Sequence, residues 1–200
     1  GSNNAINGSI LNQSGTLKID GTDGVAGVLT VGNGFSSSGT ILLDHSSSNN
    51  LASQLIVSAG TLENSGTITS FDSAGDLNSP HIINAPITNI GTLLVEHDLN
   101  LTGSGINSNG DESGGGVIDI ASGATLSIFN GLDNFGNGII QGSGTLSFFG
   151  GATFNASGSI APGGLGTLDT LTIVNPPPEG EGLGGGGGEG AVTVYLDVDG

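Results

Sequence analysis

The chain has 200 residues, 40 of them glycine and none cysteine, and it carries 18 acidic side chains against one basic residue, Lys18. A net charge of −17 with a single cation argues against nucleic acid and anionic membranes as partners, because neutralising phosphate requires Lys and Arg. The same field of carboxylates disfavours lyase chemistry on acidic polysaccharides. Leu, Ile, Val and Phe make up 28% of the residues, which favours a folded chain over a disordered one.

A repeated opener, Gly-Thr followed by an apolar residue, is the main pattern in the sequence. It occurs at Gly15-Thr16, Gly39-Thr40, Gly60-Thr61, Gly66-Thr67, Gly91-Thr92, Gly144-Thr145 and Gly166-Thr167. Short strands that recur every 20 to 25 residues or so, without a helical period, are typical of stacked coils. The sequence therefore predicts an all-β fold, a parallel β-solenoid of about eight turns over residues 1–174.

Alternating apolar residues within the repeats predict which side chains point into the solenoid. Successive side chains of a strand lie on opposite faces, so apolar residues two apart share the inner face. The predicted inward pairs are Leu17 and Ile19, Ile41 and Leu43, Leu55 and Val57, Leu126 and Ile128, and Leu171 and Ile173.

Two acidic turns are candidates for calcium, the one cofactor that the sequence suggests. Asp20 and Asp23 stand in the turn Asp-Gly-Thr-Asp-Gly, and Asp197 and Asp199 stand in Asp-Val-Asp-Gly at the end of the sequence. Oxygen ligands at alternating positions beside glycine resemble the start of a calcium loop. Neither turn has a complete ligand set, and a solvated Asx turn is the alternative at Asp20 and Asp23.

Residues 71–116 are less regular and contain the candidate binding loop. Pro80 and Pro86 cannot donate ladder hydrogen bonds, so they predict corners or a strand edge. The run from 107 to 116 predicts a protruding loop in which Asp111 and Glu112 could contact a ligand. The triplet 96–98, Glu-His-Asp, is interpreted as a charged surface segment rather than a metal or acid–base site.

Residues 117–174 return to strong periodicity and contain most of the aromatic side chains. Asn130, Asn134 and Asn137 are predicted at corners, where stacked amides could form ladders between turns. We interpret five phenylalanines as core or end-of-stack residues rather than as a carbohydrate platform, because sugar platforms favour Trp and Tyr. These residues are Phe129, Phe135, Phe148, Phe149 and Phe154.

The last part of the sequence changes composition twice. Residues 175–190 are rich in Pro, Glu and Gly and predict a flexible loop or linker. Residues 191–200 alternate like a strand and are interpreted as a terminal strand whose continuation is missing. With no Met and no secretion signal, the sequence is expected to be a fragment or a processed segment.

Two runs resemble the stalk of a known protein class. The run 160–168, Ile-Ala-Pro-Gly-Gly-Leu-Gly-Thr-Leu, and the strand 192–197, Val-Thr-Val-Tyr-Leu-Asp, look like the C-terminal part of the passenger region in bacterial autotransporter and haemagglutinin-like adhesins. Gly144-Thr145-Leu146 and the earlier repeats resemble the same families more loosely. The resemblance implies a secreted, right-handed, single-stranded β-helix displayed on a bacterial cell surface for adhesion or biofilm formation.

Together these observations favour a non-enzymatic structural or adhesive segment of a larger extracellular protein. Its expected partner is a host cell, a surface or a polysaccharide, with no membrane insertion by this segment. End-to-end self-association into a fibre or matrix is the main alternative, since unpaired strand edges can stack. A β-helical polysaccharide hydrolase with paired carboxylates is a further alternative, but no two carboxylates in the sequence stand out as a pair.

Overall fold

The computed structural model of the protein describes residues 3–6, 12–21, 25–46, 51–75, 78–164, 169–175 and 190–195. Within these ranges the chain is all β, with strands and turns and no helix. The strands wind into three sheets, here called A, B and C, and each complete coil contributes one strand to each sheet. The predicted parallel β-solenoid is confirmed.

Seven three-strand coils follow one another along the chain. The first four comprise β1 (Asn3–Ile6), β2 (Asn12–Gln13), β3 (Thr16–Gly21), β4 (Val28–Val31), β5 (Phe35–Ser37), β6 (Thr40–His45), β7 (Gln54–Val57), β8 (Leu62–Asn64), β9 (Thr67–Ser70), β10 (His81–Asn84), β11 (Ile87–Asn89) and β12 (Thr92–Val95). The next three comprise β13 (Leu99–Leu101), β14 (Asn107–Asn109), β15 (Val117–Ile120), β16 (Thr125–Ile128), β17 (Gly131–Asn134), β18 (Ile139–Gly142), β19 (Thr145–Phe148), β20 (Thr153–Ala156) and β21 (Ser159–Pro162). β22 (Thr170–Asn175) continues sheet A, and β23 (Gly190–Tyr195) pairs with it in antiparallel orientation.

The number of turns is lower than predicted. Sheets B and C each contain seven strands, so about six turns lead from the first coil to the last, where the sequence predicts about eight. Thr16, Thr40, Thr67 and Thr92 occupy one register position in sheet C, which makes successive coils 24, 27 and 25 residues long. The prediction used about 22 residues per turn and missed the longer connections between sheets C and A in the first coils.

Branched apolar side chains fill the interior of the solenoid, as their alternation predicts. Of the predicted inward residues, eight are buried, and Leu17 and Ile173 are partly buried against the same core. Ile41, Leu43, Leu55 and Leu126 are fully inaccessible to solvent. Burial of one such side chain contributes about 1.5 to 3 kcal/mol to folding, so the continuous column of core residues holds the coils together.

Glycine in the repeated opener is explained by contact between successive coils. A Cβ on Gly66 would lie 2.0 Å from the carbonyl oxygen of Gly39, and a Cβ on Gly91 would lie 2.2 Å from that of Gly66. No side chain fits at that distance. The stacked coils of sheet C therefore require glycine before the threonine.

Three sequence predictions about loops meet different outcomes. Pro80 and Pro86 stand directly before β10 and β11, at corners as predicted. The loop predicted from 107 to 116 is wrong at its start, because Asn107–Asn109 form β14, with Asn107 and Asn109 buried and hydrogen-bonded; the turn begins at Gly110. Of the predicted linker at 175–190, Asn175 instead ends β22 and Gly190 begins β23, and residues 176–189 lie outside the described part of the chain, as do residues 196–200 of the predicted terminal strand.

Candidate functional site

Six titratable side chains gather at one corner, where strands of sheet C end and strands of sheet A begin. This polar corner consists of Lys18, Asp20, Asp44, His45, His81 and His97. It contains the only basic residue of the sequence and all three of its histidines.

Lys18 bridges two carboxylates on neighbouring coils. Its Nζ lies 2.8 Å from Oδ2 of Asp20 and 2.9 Å from Oδ2 of Asp44. The two aspartates are register partners on β3 and β6, where like charges directly opposite each other destabilise a sheet. Hydrogen bonds to Asp20 and then Asp44 raise the pKa of the Lys18 ammonium. Lys18 therefore neutralises the repulsion between the two coils.

Asp44 is the most densely bonded carboxylate of the corner. Besides Lys18, its Oδ1 accepts the backbone N–H groups of His45 at 2.8 Å and Ser73 at 3.0 Å, and its Oδ2 accepts the Ser73 hydroxyl at 3.1 Å. Burial alone would raise the pKa of Asp44, but the hydrogen bonds from Lys18 and Ser73 outweigh it, and the pKa is lowered. A general acid at neutral pH needs a raised pKa, so this carboxylate is arranged as an anionic clamp between coils.

His81 is held as a neutral ring by two backbone groups. The N–H of Ser53 donates to Nδ1 at 2.9 Å, so Nδ1 carries no proton, and Nε2 donates to the carbonyl of Phe71 at 2.8 Å. Burial lowers the pKa of His81, and the neighbouring His97 lowers it further. Both ring nitrogens are occupied, which leaves neither for proton transfer to a bound molecule.

His97 completes the histidine cluster. Its ring meets His81 edge to face with centroids 5.3 Å apart, and Nε2 lies 3.1 Å from the carbonyl of Ser79. Of the predicted surface triplet, only Glu96 is exposed, whereas Asp98 accepts the N–H of Thr125 at 2.7 Å. Among the described residues, no group of three or more His, Cys, Asp or Glu side chains could hold a metal ion.

The predicted calcium residues are only partly described. Asp20 takes part in the polar corner, where its carboxylate also accepts the N–H and hydroxyl of Ser46 at 3.1 and 2.8 Å. Asp23, Asp197 and Asp199 lie outside the described residues. Calcium binding by these turns stays a prediction.

The candidate binding loop around Asp111 is a self-contained turn. Oδ1 of Asp111 accepts the hydroxyl and N–H of Ser113 at 2.8 and 2.7 Å and the N–H of Gly114 at 2.6 Å. Hydrogen bonds from the Ser113 side chain, and then from these backbone groups, lower the pKa of Asp111. Glu112 is exposed beside it. Binding of a ligand by this loop stays a prediction.

An internal ladder of asparagines runs through four coils at the end of the sheet B strands. The Nδ2 of each of the first three donates to the Oδ1 of the next asparagine at 2.8 Å, and all four side chains are buried: Asn64, Asn89, Asn109 and Asn134. The second hydrogen of each Nδ2 reaches a backbone carbonyl on the following coil at 3.0 to 3.2 Å. The sequence analysis suggested a ladder at Asn130, Asn134 and Asn137; only Asn134 belongs to it, because Asn130 and Asn137 are exposed at corners.

The phenylalanines divide between core and surface. Phe148 is buried, with 2% of its surface exposed, and its ring packs on Phe154, as predicted. The prediction is wrong for Phe129 and Phe135, each of which is 37% exposed, because both follow the last residue of their strands at corners. Phe129 stacks on Phe149 with ring centroids 5.0 Å apart and planes inclined by 14°.

Comparisons of the chain with protein families, with curated proteins and with solved structures find no match.

Proposed function

We propose that this chain is a non-enzymatic stalk or adhesive segment of a larger bacterial surface protein, displayed outside the cell. One observation carries the proposal: the ionisable groups gathered at the polar corner bind one another and the backbone. The carboxylate of Asp44, for example, accepts hydrogen bonds from three residues, Lys18, His45 and Ser73. Groups engaged in this way tie adjacent coils together, whereas a catalytic pair must exchange protons with a substrate.

The architecture and the charge also support a role as a rod. Coils stack about 4.8 Å apart, so six turns extend the solenoid by roughly 29 Å, and further coils would lengthen it without a new core design. A net charge of −17 favours solubility and discourages nonspecific association. In the part of the chain that the structure describes, no helix is long and apolar enough to cross a membrane. The resemblance of the 160–168 run to adhesin stalks points the same way.

The test measures adhesion and catalysis on the same preparation. Beads coated with the folded chain are expected to adhere to host cells, to a surface or to immobilised polysaccharide, and beads coated with the heat-denatured chain serve as the control. Incubation with a panel of neutral polysaccharides is expected to release no reducing ends. Release that stops when one carboxylate is replaced, for example in Asp44→Asn, would overturn the proposal in favour of a hydrolase.

A second candidate, self-assembly into a fibre or matrix, is favoured by the strand edges at one end of the stack. β20 and β21 are the last described strands of sheets B and C, whereas the last parallel strand of sheet A is covered by β23. Uncovered edges are templates for pairing with another chain. Light scattering that grows with protein concentration and ends in fibres would favour this candidate, and a constant monomer mass would exclude it.

A further inference from the structure

A second surface feature lies away from the polar corner, where sheet A turns into sheet B. A groove of about 350 Å3 runs across three successive coils there, between the segments 56–61, 84–86 and 103–104. This volume is within the range of ligand-binding clefts. We call it the corner groove.

No ionisable side chain lines the corner groove, although the chain as a whole carries a net charge of −17. An anionic ligand would be repelled by the surrounding protein and would find no cation in the groove. A cationic ligand would find no carboxylate there. The chemistry of the lining therefore suits an uncharged ligand.

Polar groups without internal partners face this groove. The side chains of Ser58, Asn84 and Ser104 are exposed and make no hydrogen bond to another described residue. They offer two hydroxyls and one amide, which can both donate and accept hydrogen bonds.

An aromatic step continues the line of the groove along the solenoid. On the next three coils, the positions in register with Asn84 at the end of sheet A are occupied by Thr102, Phe129 and Phe149. The backbone N–H of each of these three residues donates to a carbonyl of the preceding coil. The ring of Phe129, 37% of whose surface is exposed, stacks on the half-buried ring of Phe149, and the amide of Asn130 donates to the carbonyl of Gly103 in the groove wall. The amide and hydroxyl groups of the groove and the exposed Phe129 ring therefore lie on successive coils along the same side of the solenoid.

We infer that the corner groove and the Phe129–Phe149 step form a binding site for a linear, uncharged polysaccharide that lies parallel to the axis of the solenoid. Sugar rings present hydroxyls at their rims and apolar C–H groups on their faces, which matches hydrogen-bonding groups followed by an aromatic surface. The exposure of Phe129 replaces the sequence interpretation of this residue as core rather than carbohydrate platform. Coils about 4.8 Å apart repeat the available groups along such a chain. This inference rests on the proposed adhesive function and names its ligand class.

The test compares two phenylalanines of equal exposure. Soluble dextran, glucomannan and xylan are titrated into the purified chain, with alginate as the anionic comparison. We expect at least one neutral polysaccharide to bind, alginate not to bind, and Phe129→Ala to weaken binding about tenfold through loss of ring stacking. Phe135→Ala, at an exposed corner after sheet B, should stay within about twofold of the wild-type affinity. Asn84→Ala should also weaken binding, and thermal melts establish that each variant is folded.

The possible results distinguish failure of the proposed binding site from failure of the proposed adhesive function. Absence of binding to every neutral polysaccharide, or equal affinity of Phe129→Ala and Phe135→Ala, would overturn the corner groove as the site. If the coated beads still adhere to cells or surfaces in that case, the adhesive function stands with another binding surface. Cleavage of the bound polysaccharide would instead contradict the proposed function itself.

Discussion

Replacement of Asn109 by leucine should destabilise the solenoid from its interior. Leucine branches at Cγ as asparagine does, but it is larger and forms no side-chain hydrogen bond. The Asn109 side chain accepts a bond from Asn89 at 2.8 Å and donates to Asn134 at 2.8 Å and to the carbonyl of Ile139 at 3.0 Å, and it is completely buried. At about 1 kcal/mol for each lost bond, Asn109→Leu should lower the free energy of unfolding by about 3 kcal/mol.

Denaturant unfolding followed by circular dichroism measures this loss, and two variants calibrate it. Asn134→Leu removes only the bond from Asn109 and the bond to the Ser159 carbonyl, so about 2 kcal/mol is expected. Asn155→Ala removes one exposed bond to Asp133 and should cost less than about 0.5 kcal/mol. Equal stability of Asn109→Leu and Asn155→Ala would refute the role assigned to the ladder.

Three further variants or conditions probe the corners of the solenoid. Gly66→Ala places a Cβ 2.0 Å from the Gly39 carbonyl and should lower the melting temperature by the equivalent of about 2 kcal/mol, whereas Gly15→Ala, with nothing within 4 Å, should change it little. The pKa of His81 in the folded chain lies below its ordinary value of 6.5, so the unfolded chain binds the proton first as the pH falls. The free energy of unfolding, measured by denaturant titration, should therefore decrease below about pH 6.5. His81→Gln should show a flatter dependence on pH. Asp44→Ala leaves buried N–H groups without an acceptor and should cost about 2 kcal/mol in denaturant unfolding, and an unchanged midpoint would contradict its role as a clamp.

The strands and their inward faces could be predicted because they depend on neighbouring residues. Leu126 and Ile128 are separated by the polar Ser127, and Ile41 and Leu43 share the same two-residue spacing; this local pattern alone places them in the core. The glycine of the opener could be recognised as a repeat, but its cause, the contact of Gly66 with the Gly39 carbonyl, needs the neighbouring coil.

The polar corner and the ladder could not be predicted because both depend on the register between coils of unequal length. Asn64, Asn89 and Asn109 are 25 and 20 residues apart, so no fixed period aligns them. His45 and His81 have no informative neighbours in sequence, and they reach the same corner only because connections between sheets C and A differ in length. Alignment across coils is a tertiary property that one sequence does not display.

The ladder, the polar corner and the corner groove all depend on in-register stacking of the coils, which spin labels can measure directly. Thr16 and Ile139 are 123 residues apart in sequence but occupy the same register position five coils apart. The chain has no cysteine, so labels on Thr16→Cys and Ile139→Cys would be the only two. Electron spin resonance should give a narrow distance near about 24 Å, and the pair Thr40→Cys with Ile139→Cys should give about 19 Å. A broad distribution, or the same distance for both pairs, would contradict the stacked register.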